Sequence, residues 1–156
     1  KPPTPAAGGS WRVWGGPQRD FLATSKGIFP AASEKWISEQ PRRVWERPLG
    51  DGYSAVAVED KTIYTGFRRG GDDVYTALEA ATGKTMWEFA YAAPFKNSYS
   101  EGVGPGPYAM PQIIGDRVVT ASGIGQIHSL DKATGKTRWK RARRHQASSS
   151  NMPPPR

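Results

Sequence analysis

The sequence contains no cysteine, and this absence excludes disulfide bonds and thiolate metal sites. No run approaches the roughly 18 apolar residues that a membrane-spanning helix needs, so none is predicted. The two histidines, His128 and His145, have no neighbours at metal-ligand spacing. We therefore expect no metal and no cofactor, and no catalytic residue is assigned.

Acidic side chains are absent after Asp131. Seven basic residues lie from Lys136 onward, whereas the rest of the chain carries 15 basic and 14 acidic residues. The net charge of +8 therefore comes from the C-terminal end, and the nearly neutral body does not present the basic face that steers nucleic acid. Residues 1–10 are predicted to be a linker and residues 142–156 a disordered basic tail.

The abundant residues are glycine and proline, at 18 and 14, which favour short strands joined by turns. The region between the two ends contains an internal repeat, with units at about 53–89 and 108–140. Three pairs of equivalent features mark the repeat: Tyr53 and Tyr108, the Thr-Gly-Lys-Thr runs that begin at Thr82 and Thr134, and Trp87 and Trp139.

Each unit is predicted to form four short antiparallel strands, because short runs rich in β-branched and aromatic residues are separated by turn residues. The expected strands are 54–58, 62–67, 74–78 and 85–89 in the first unit, and 110–114, 118–121, 126–130 and 137–140 in the second.

The repeated Gly-Lys-Thr run invites a nucleotide-binding interpretation, which the spacing excludes. A phosphate-binding loop needs a glycine five positions before its second glycine, and those positions are Leu78 and Leu130. The run is instead typical of a tight turn, in which the glycine supplies a positive φ.

The residues from Ala77 to Trp87 resemble the tryptophan-docking motif of quinoprotein-like (PQQ-like) β-propellers, Ala-x-Asp-x-x-Thr-Gly-Lys-x-x-Trp. The residues from Ser129 to Trp139 are similar to the same motif, and the departures are Glu79 for Asp and Ser129 for Ala. The segment from Trp11 to Asp20 resembles the opening of exported bacterial members of the family. The resemblance implies eight structural docking residues, with each Trp ring on the glycine turn of a neighbouring blade: Ala77, Thr82, Gly83, Trp87, Asp131, Thr134, Gly135 and Trp139.

The resemblance implies an all-β fold, a partial β-propeller within residues 11–141. It consists of two four-stranded antiparallel blades plus one extra N-terminal strand at Val44-Trp45-Glu46, which would complete the final blade of a closed ring. Propellers close with roughly four to eight blades, so two blades leave flanks uncovered. We expect missing blades, a protein partner or self-association to cover them.

The function that the resemblance implies is that of a non-catalytic scaffold or protein-interaction module of the cell envelope or periplasm. It would be part of a larger closed propeller. The alternative is a fragment of a quinone (PQQ)-dependent alcohol or sugar dehydrogenase, so enzymatic activity stays open, with its absence favoured.

A candidate partner surface is predicted where two loops emerge at the same end of the first blade. Trp87 and Tyr108 are 21 positions apart, against eight for Trp45 and Tyr53. Arginine and aromatic side chains favour contact with a partner. The candidate residues are Arg68, Arg69, Tyr91, Phe95 and Tyr99; a self-packed surface loop is the other interpretation.

Overall fold

Two four-stranded antiparallel sheets make up the chain in the computed structural model, which describes residues 10–22, 43–94 and 104–142. In each sheet the strands lie side by side in chain order. The first blade contains β1 (Ala57–Glu59), β2 (Thr62–Arg69), β3 (Asp72–Glu79) and β4 (Thr85–Ala92). The second contains β5 (Gln112–Ile114), β6 (Arg117–Ala121), β7 (Gln126–Asp131) and β8 (Thr137–Ala142). The predicted two-blade all-β fold is confirmed.

The two blades repeat one another in register as well as in order. Ala77 pairs with Trp87 across β3 and β4, and Ser129 pairs with Trp139 across β7 and β8. A register shift follows each pair, after Ala77 and after Ser129. The two tryptophans therefore occupy equivalent positions, as the sequence repeat predicts.

The hydrophobic core lies between the two sheets. Alternation along a strand sends every second side chain to one face, and the inward faces of the blades meet there. The core is formed by Ala57, Tyr64, Ala77 and Trp87 of the first blade and Met110, Ile113, Val118 and Leu130 of the second. The first residues of the repeat also meet, since the rings of Tyr53 and Tyr108 stack with centroids 6.0 Å apart.

The segment of residues 10–22 lies along the free edge of β1 and reaches β5. The backbone N–H of Trp11 donates to the carbonyl of Val58 at 2.7 Å, and Val58 donates back at 2.9 Å. The carbonyl of Arg12 accepts from Ile113, and its guanidinium contacts Glu59 at 2.7 Å. These contacts join the N-terminal segment to both blades, and the sequence repeat did not predict them.

Two boundaries differ from the expectation. Val44, Trp45 and Glu46 are described but do not form a strand, because no neighbouring strand of a preceding blade lies beside them in the described residues. Ala142, expected to begin the tail, is the last residue of β8. The predicted linker at residues 1–9 and the predicted tail at 143–156 lie outside the described residues. Among the described residues, no helix is long and apolar enough to cross a membrane.

Candidate functional site

The turn before the last strand of each blade is built in the same way. Gly83 and Gly135 both have φ of +70°, a left-handed conformation that side chains disfavour. A Cβ atom on either glycine would also meet an indole ring at 2.7 Å. Glycine is therefore required twice over, by the backbone conformation and by the ring that lies on it.

Trp87 of the first blade packs on the turn of the second. Its ring covers Gly135, and its Nε1–H donates to the carbonyl of Lys132 at 2.9 Å. The side chain is only 8% exposed. A flat ring and a residue without a side chain allow close approach, and the hydrogen bond fixes the orientation of the ring.

Trp45 makes the same contacts with the turn of the first blade. Its ring covers Gly83 and its Nε1–H donates to the carbonyl of Ala80 at 2.9 Å. Arg47 adds a hydrogen bond to the carbonyl of Gly83 at 2.8 Å. Trp45 was expected in an outer strand; it packs instead on the turn, as the last-strand tryptophan of a preceding blade would.

Trp139 is the third tryptophan of this series, and its ring is partly exposed. Its exposed fraction is 41%, against 8% for the equivalent Trp87. The residue that precedes it by twelve, Ile127, is 40% exposed, whereas the equivalent Tyr75 is 1% exposed. The face of the first blade that carries Tyr75 and Trp87 is covered by the second blade. The equivalent face of the second blade, which carries Ile127 and Trp139, is open.

We call this open face the outward flank, defined by the side chains of Gln112, Val119, Ile127, Trp139 and Arg141. Two adjoining shallow clefts extend along it, of about 390 and 420 Å³, and both are lined by Ala121. Trp14, which is 61% exposed, borders the first cleft, and Arg141 borders the second. An aromatic ring, apolar side chains and a cation thus lie on one accessible face.

The acidic residue of each motif organises its turn. Asp131 accepts hydrogen bonds from the backbone N–H groups of Ala133 and Thr134 and from the Thr134 hydroxyl. Hydrogen bonds from Arg138 and Thr134 lower the pKa of Asp131 to about 2. In the first motif, the carboxylate of Glu79 accepts a hydrogen bond from the hydroxyl of Thr82 at 2.5 Å. Unlike Asp131, it accepts none from the backbone N–H groups of its own turn. Its extra methylene places the carboxylate farther from its own backbone.

A buried ion pair lies at one end of the interface between the blades. Arg68 contacts Asp73 at 2.8 Å, and both side chains are almost fully buried. Arg68 also donates to the carbonyls of Gly71 and Ala93. Burial raises the pKa of Asp73, and the positive charge of Arg68 opposes that shift. The side-chain partners of Arg68 lie on or next to β3 and β4 of the first blade, and its backbone N–H donates to the carbonyl of Asp51, which precedes that blade.

Two titratable rings meet across the interface beside this pair. The rings of Tyr91 and His128 are 4.2 Å apart between centroids. Burial and the nearby charge of Asp73 raise the pKa of Tyr91 to about 12. Burial, with the charge of Lys140, lowers the pKa of His128. Both residues are therefore uncharged at neutral pH.

Of the residues predicted to form the candidate partner surface, only some are exposed in the structure. Arg68 does not lie on it, because its side chain is buried in the ion pair with Asp73. Tyr91 belongs to β4 and is half-buried against His128. Arg69 is exposed and contacts Glu88 at 3.0 Å. Phe95 and Tyr99 lie outside the described residues.

Within residues 10–22, 43–94 and 104–142, no cluster of three histidine or carboxylate side chains could hold a metal ion. A carboxylate cluster of the kind that could hold a calcium ion beside a quinone cofactor is therefore not found in this part of the chain. We derive no catalytic step from such a group.

These features define the class of the protein: it is a segment of a quinoprotein-like β-propeller. Its blades are repeated, and each carries a tryptophan at the same position of its last strand. A family model described as outer membrane protein assembly factor BamB matches residues 31–154. The chain belongs to this family. No curated protein matches the sequence at a significant level.

Solved structures with a similar fold include BamB from Moraxella catarrhalis, with 25% identity and a TM-score of 0.37. They also include a europium-containing methanol dehydrogenase (21%, 0.42) and the quinohemoprotein alcohol dehydrogenase of Comamonas testosteroni (25%, 0.39). Each match covers 58% of this chain but only 23%, 16% and 13% of the three structures, respectively. The chain therefore spans less than a quarter of the length of these proteins.

Proposed function

We propose that this chain is a non-catalytic pair of blades that acts as a scaffold and protein-interaction module within a larger closed propeller. The observation that carries the proposal is the exposed ring of Trp139. In the second blade it occupies the position equivalent to that of Trp87, which reaches the turn of the next blade, yet 41% of Trp139 is exposed. A further four-stranded unit with a glycine turn would cover it in the same way.

The family description supports a cell-envelope location for this module, because it names an assembly factor of the outer membrane. Fractionation of cells that produce the parent protein with an epitope tag tests this location. Recovery of the tag only in the cytosolic fraction would contradict it.

The proposed docking role of Trp139 is tested by adding a third blade. A second copy of residues 104–142 is joined after Ala142, and the Trp139 ring is followed by fluorescence quenching with acrylamide. We expect quenching of Trp139 to fall toward that of a buried indole, because the new glycine turn covers the ring. The matched control carries Gly135→Val in the added copy only, which places a side chain where the ring should pack. Equal quenching in both proteins would contradict the proposal.

The absence of catalysis is tested by titrating the chain with the quinone cofactor PQQ and calcium. We expect no saturable binding. A one-to-one complex would support the alternative, a fragment of a quinone-dependent dehydrogenase.

The candidate partner surface stays part of the proposal at Arg69, which is exposed at the end of β2.

A further inference from the structure

Glu59 is a buried carboxylate at the junction of three parts of the chain. It is the last residue of β1 and is only 5% exposed. One carboxylate oxygen contacts the guanidinium of Arg12 at 2.7 Å, and the other accepts a hydrogen bond from the ammonium of Lys132. Glu59 therefore joins the first blade both to the N-terminal segment and to a turn of the second blade through opposite charges.

Lys132 belongs to the turn that receives Trp87. Its carbonyl accepts the hydrogen bond from the indole of Trp87, and its backbone N–H donates to the turn before β6. Ala80 takes the same place in the first blade: its carbonyl accepts from Trp45, and its N–H donates to the turn before β2. The two turns thus receive a tryptophan through the same backbone contacts and differ in the side chain at this position.

The residue that faces this position differs between the blades as well. Glu59 and Ile114 are equivalent, because each ends the first strand of its blade and pairs with the first residue of the second strand. Ile113 faces the core, so alternation along β5 places Ile114 on the side away from the first blade, where it is 59% exposed. Neither Ile114 nor Ala80 carries a charge, so the pair of Glu59 and Lys132 is not repeated.

The repeated docking contacts do not distinguish one turn from the other, since both turns offer a glycine and a carbonyl to an indole ring. If Trp87 docked on a turn with alanine at the position of Lys132, the buried carboxylate of Glu59 would lose one of its two cations. Removing one partner of a buried ion pair is strongly destabilising. The charge of Glu59 therefore disfavours a turn of the first-blade kind as its neighbour.

We propose that Glu59 and Lys132 set the order of the blades: among turns of the same build, Glu59 selects the one that carries Lys132. Arg12 holds the other carboxylate oxygen and leaves one oxygen for the turn. Such selection counters the misassembly to which chains of similar repeats are prone. The inference concerns an interface within this chain, and it goes beyond the proposed function because it says which blade follows which.

A charge exchange in the full chain tests the pair. Glu59→Lys and Lys132→Glu are prepared singly and together, all with Arg12→Gln so that Arg12 does not replace Lys132 as the cation. Each single exchange should lower the melting temperature by about 5 °C or more, because like charges meet at a buried position. The double exchange restores opposite charges and should regain about half of that loss or more. A double variant no more stable than the single variants would overturn the proposal.

Selection between turns is tested in the three-blade protein, in which the added copy of residues 104–142 meets Ile114. Ile114 and Ile114→Glu are each combined with Lys132 and with Lys132→Ala in the added copy. Fluorine NMR of 5-fluorotryptophan resolves Trp139 and measures its covered and exposed populations. Ile114→Glu should raise the ratio of covered to exposed Trp139 by about tenfold when the added copy keeps Lys132, and should lower it when that copy carries Lys132→Ala.

The outcomes of this experiment separate the inference from the proposed function. An equal effect of Ile114→Glu on both added copies would show that the carboxylate does not distinguish between turns, and would overturn the inference alone. Trp139 exposed in every combination would contradict the proposed function, and the charge exchange at Glu59 then decides the inference. If the exchanges at Glu59 prevent folding, the populations of Trp139 decide it, since Ile114 lies outside the core between the two blades.

Discussion

The indole nitrogen of Trp87 donates a hydrogen bond to the carbonyl oxygen of Lys132, 45 residues further along the chain and in the other sheet. This bond and the packing of the ring on Gly135 join the last strand of one blade to a turn of the next. The Trp87 side chain therefore joins the outermost strand of the first sheet to the second sheet. The first prediction concerns that side chain.

Trp87→Ala should lower the free energy of unfolding by about 3–5 kcal/mol, because it empties a large site in the core between the blades. Trp139→Ala is the matched control, since the same residue type occupies the equivalent position with 41% of its side chain exposed. Its cost should stay below about 1 kcal/mol at concentrations where the chain is monomeric. Urea unfolding followed by circular dichroism measures both values. Similar costs for the two variants would contradict the packing role of Trp87.

The glycine beneath the ring gives a second prediction. Gly135→Ala should be more destabilising than Gly115→Ala by about 1–3 kcal/mol, because its new Cβ would meet the ring of Trp87 at 2.7 Å. Gly115 also has a positive φ, of +59°, but nothing lies within 4 Å of its Cβ position. The two variants thus share the backbone strain and differ in the clash. Equal melting temperatures would show that the ring moves away without cost.

Two neighbouring arginines on β2 allow a third prediction. Arg68→Met should cost about 3–5 kcal/mol, because Asp73 would be left buried without its partner. Arg69→Met should cost no more than about 1 kcal/mol, since its contact with Glu88 is largely exposed to water. Chemical denaturation of both variants measures the difference. A small cost for Arg68→Met would mean that Asp73 becomes protonated or hydrated in the variant.

His128 makes the interface between the blades sensitive to acid. Its pKa is lowered in the fold, chiefly by burial, so below the ordinary histidine value of 6.5 the unfolded chain binds a proton that the folded chain resists. The stabilising effect of a neutral His128 is therefore lost as the pH falls below about 6.5. Asp131 does not contribute in this window, since its pKa is about 2.

The measurement compares wild type with His128→Gln between about pH 7.5 and 5. We expect the free energy of unfolding of wild type to fall more steeply with acid than that of the variant, which lacks the titrating ring. His145 is present in both proteins and cancels in the comparison. Parallel curves would show that His128 titrates normally in the fold.

Much of the fold was predictable from local sequence signals. The repeated Thr-Gly-Lys-Thr runs mark turns because glycine alone adopts their positive φ freely, and the alternation of apolar residues marks the strands on either side. The eight strands lie within two or three residues of their predicted bounds. The equivalence of Trp87 and Trp139 also follows from the repeat, since their register in the two sheets is the same.

The sequence by itself determined the two blades of the described residues, the order of their strands and the residues that form the turns, because these depend on neighbours along the chain. Only the tertiary structure decided which tryptophan is covered. Trp87 and Trp139 end the same sequence motif, but within the described residues only Trp87 has a glycine turn beside it in space. Arg68 shows the same limit: its sequence indicates a surface loop, and the carbonyls and the carboxylate that bury it come from positions 71, 73 and 93. Burial and charge pairing depend on contacts between strands and between sheets, and these exist only once the strands have paired and the sheets have packed.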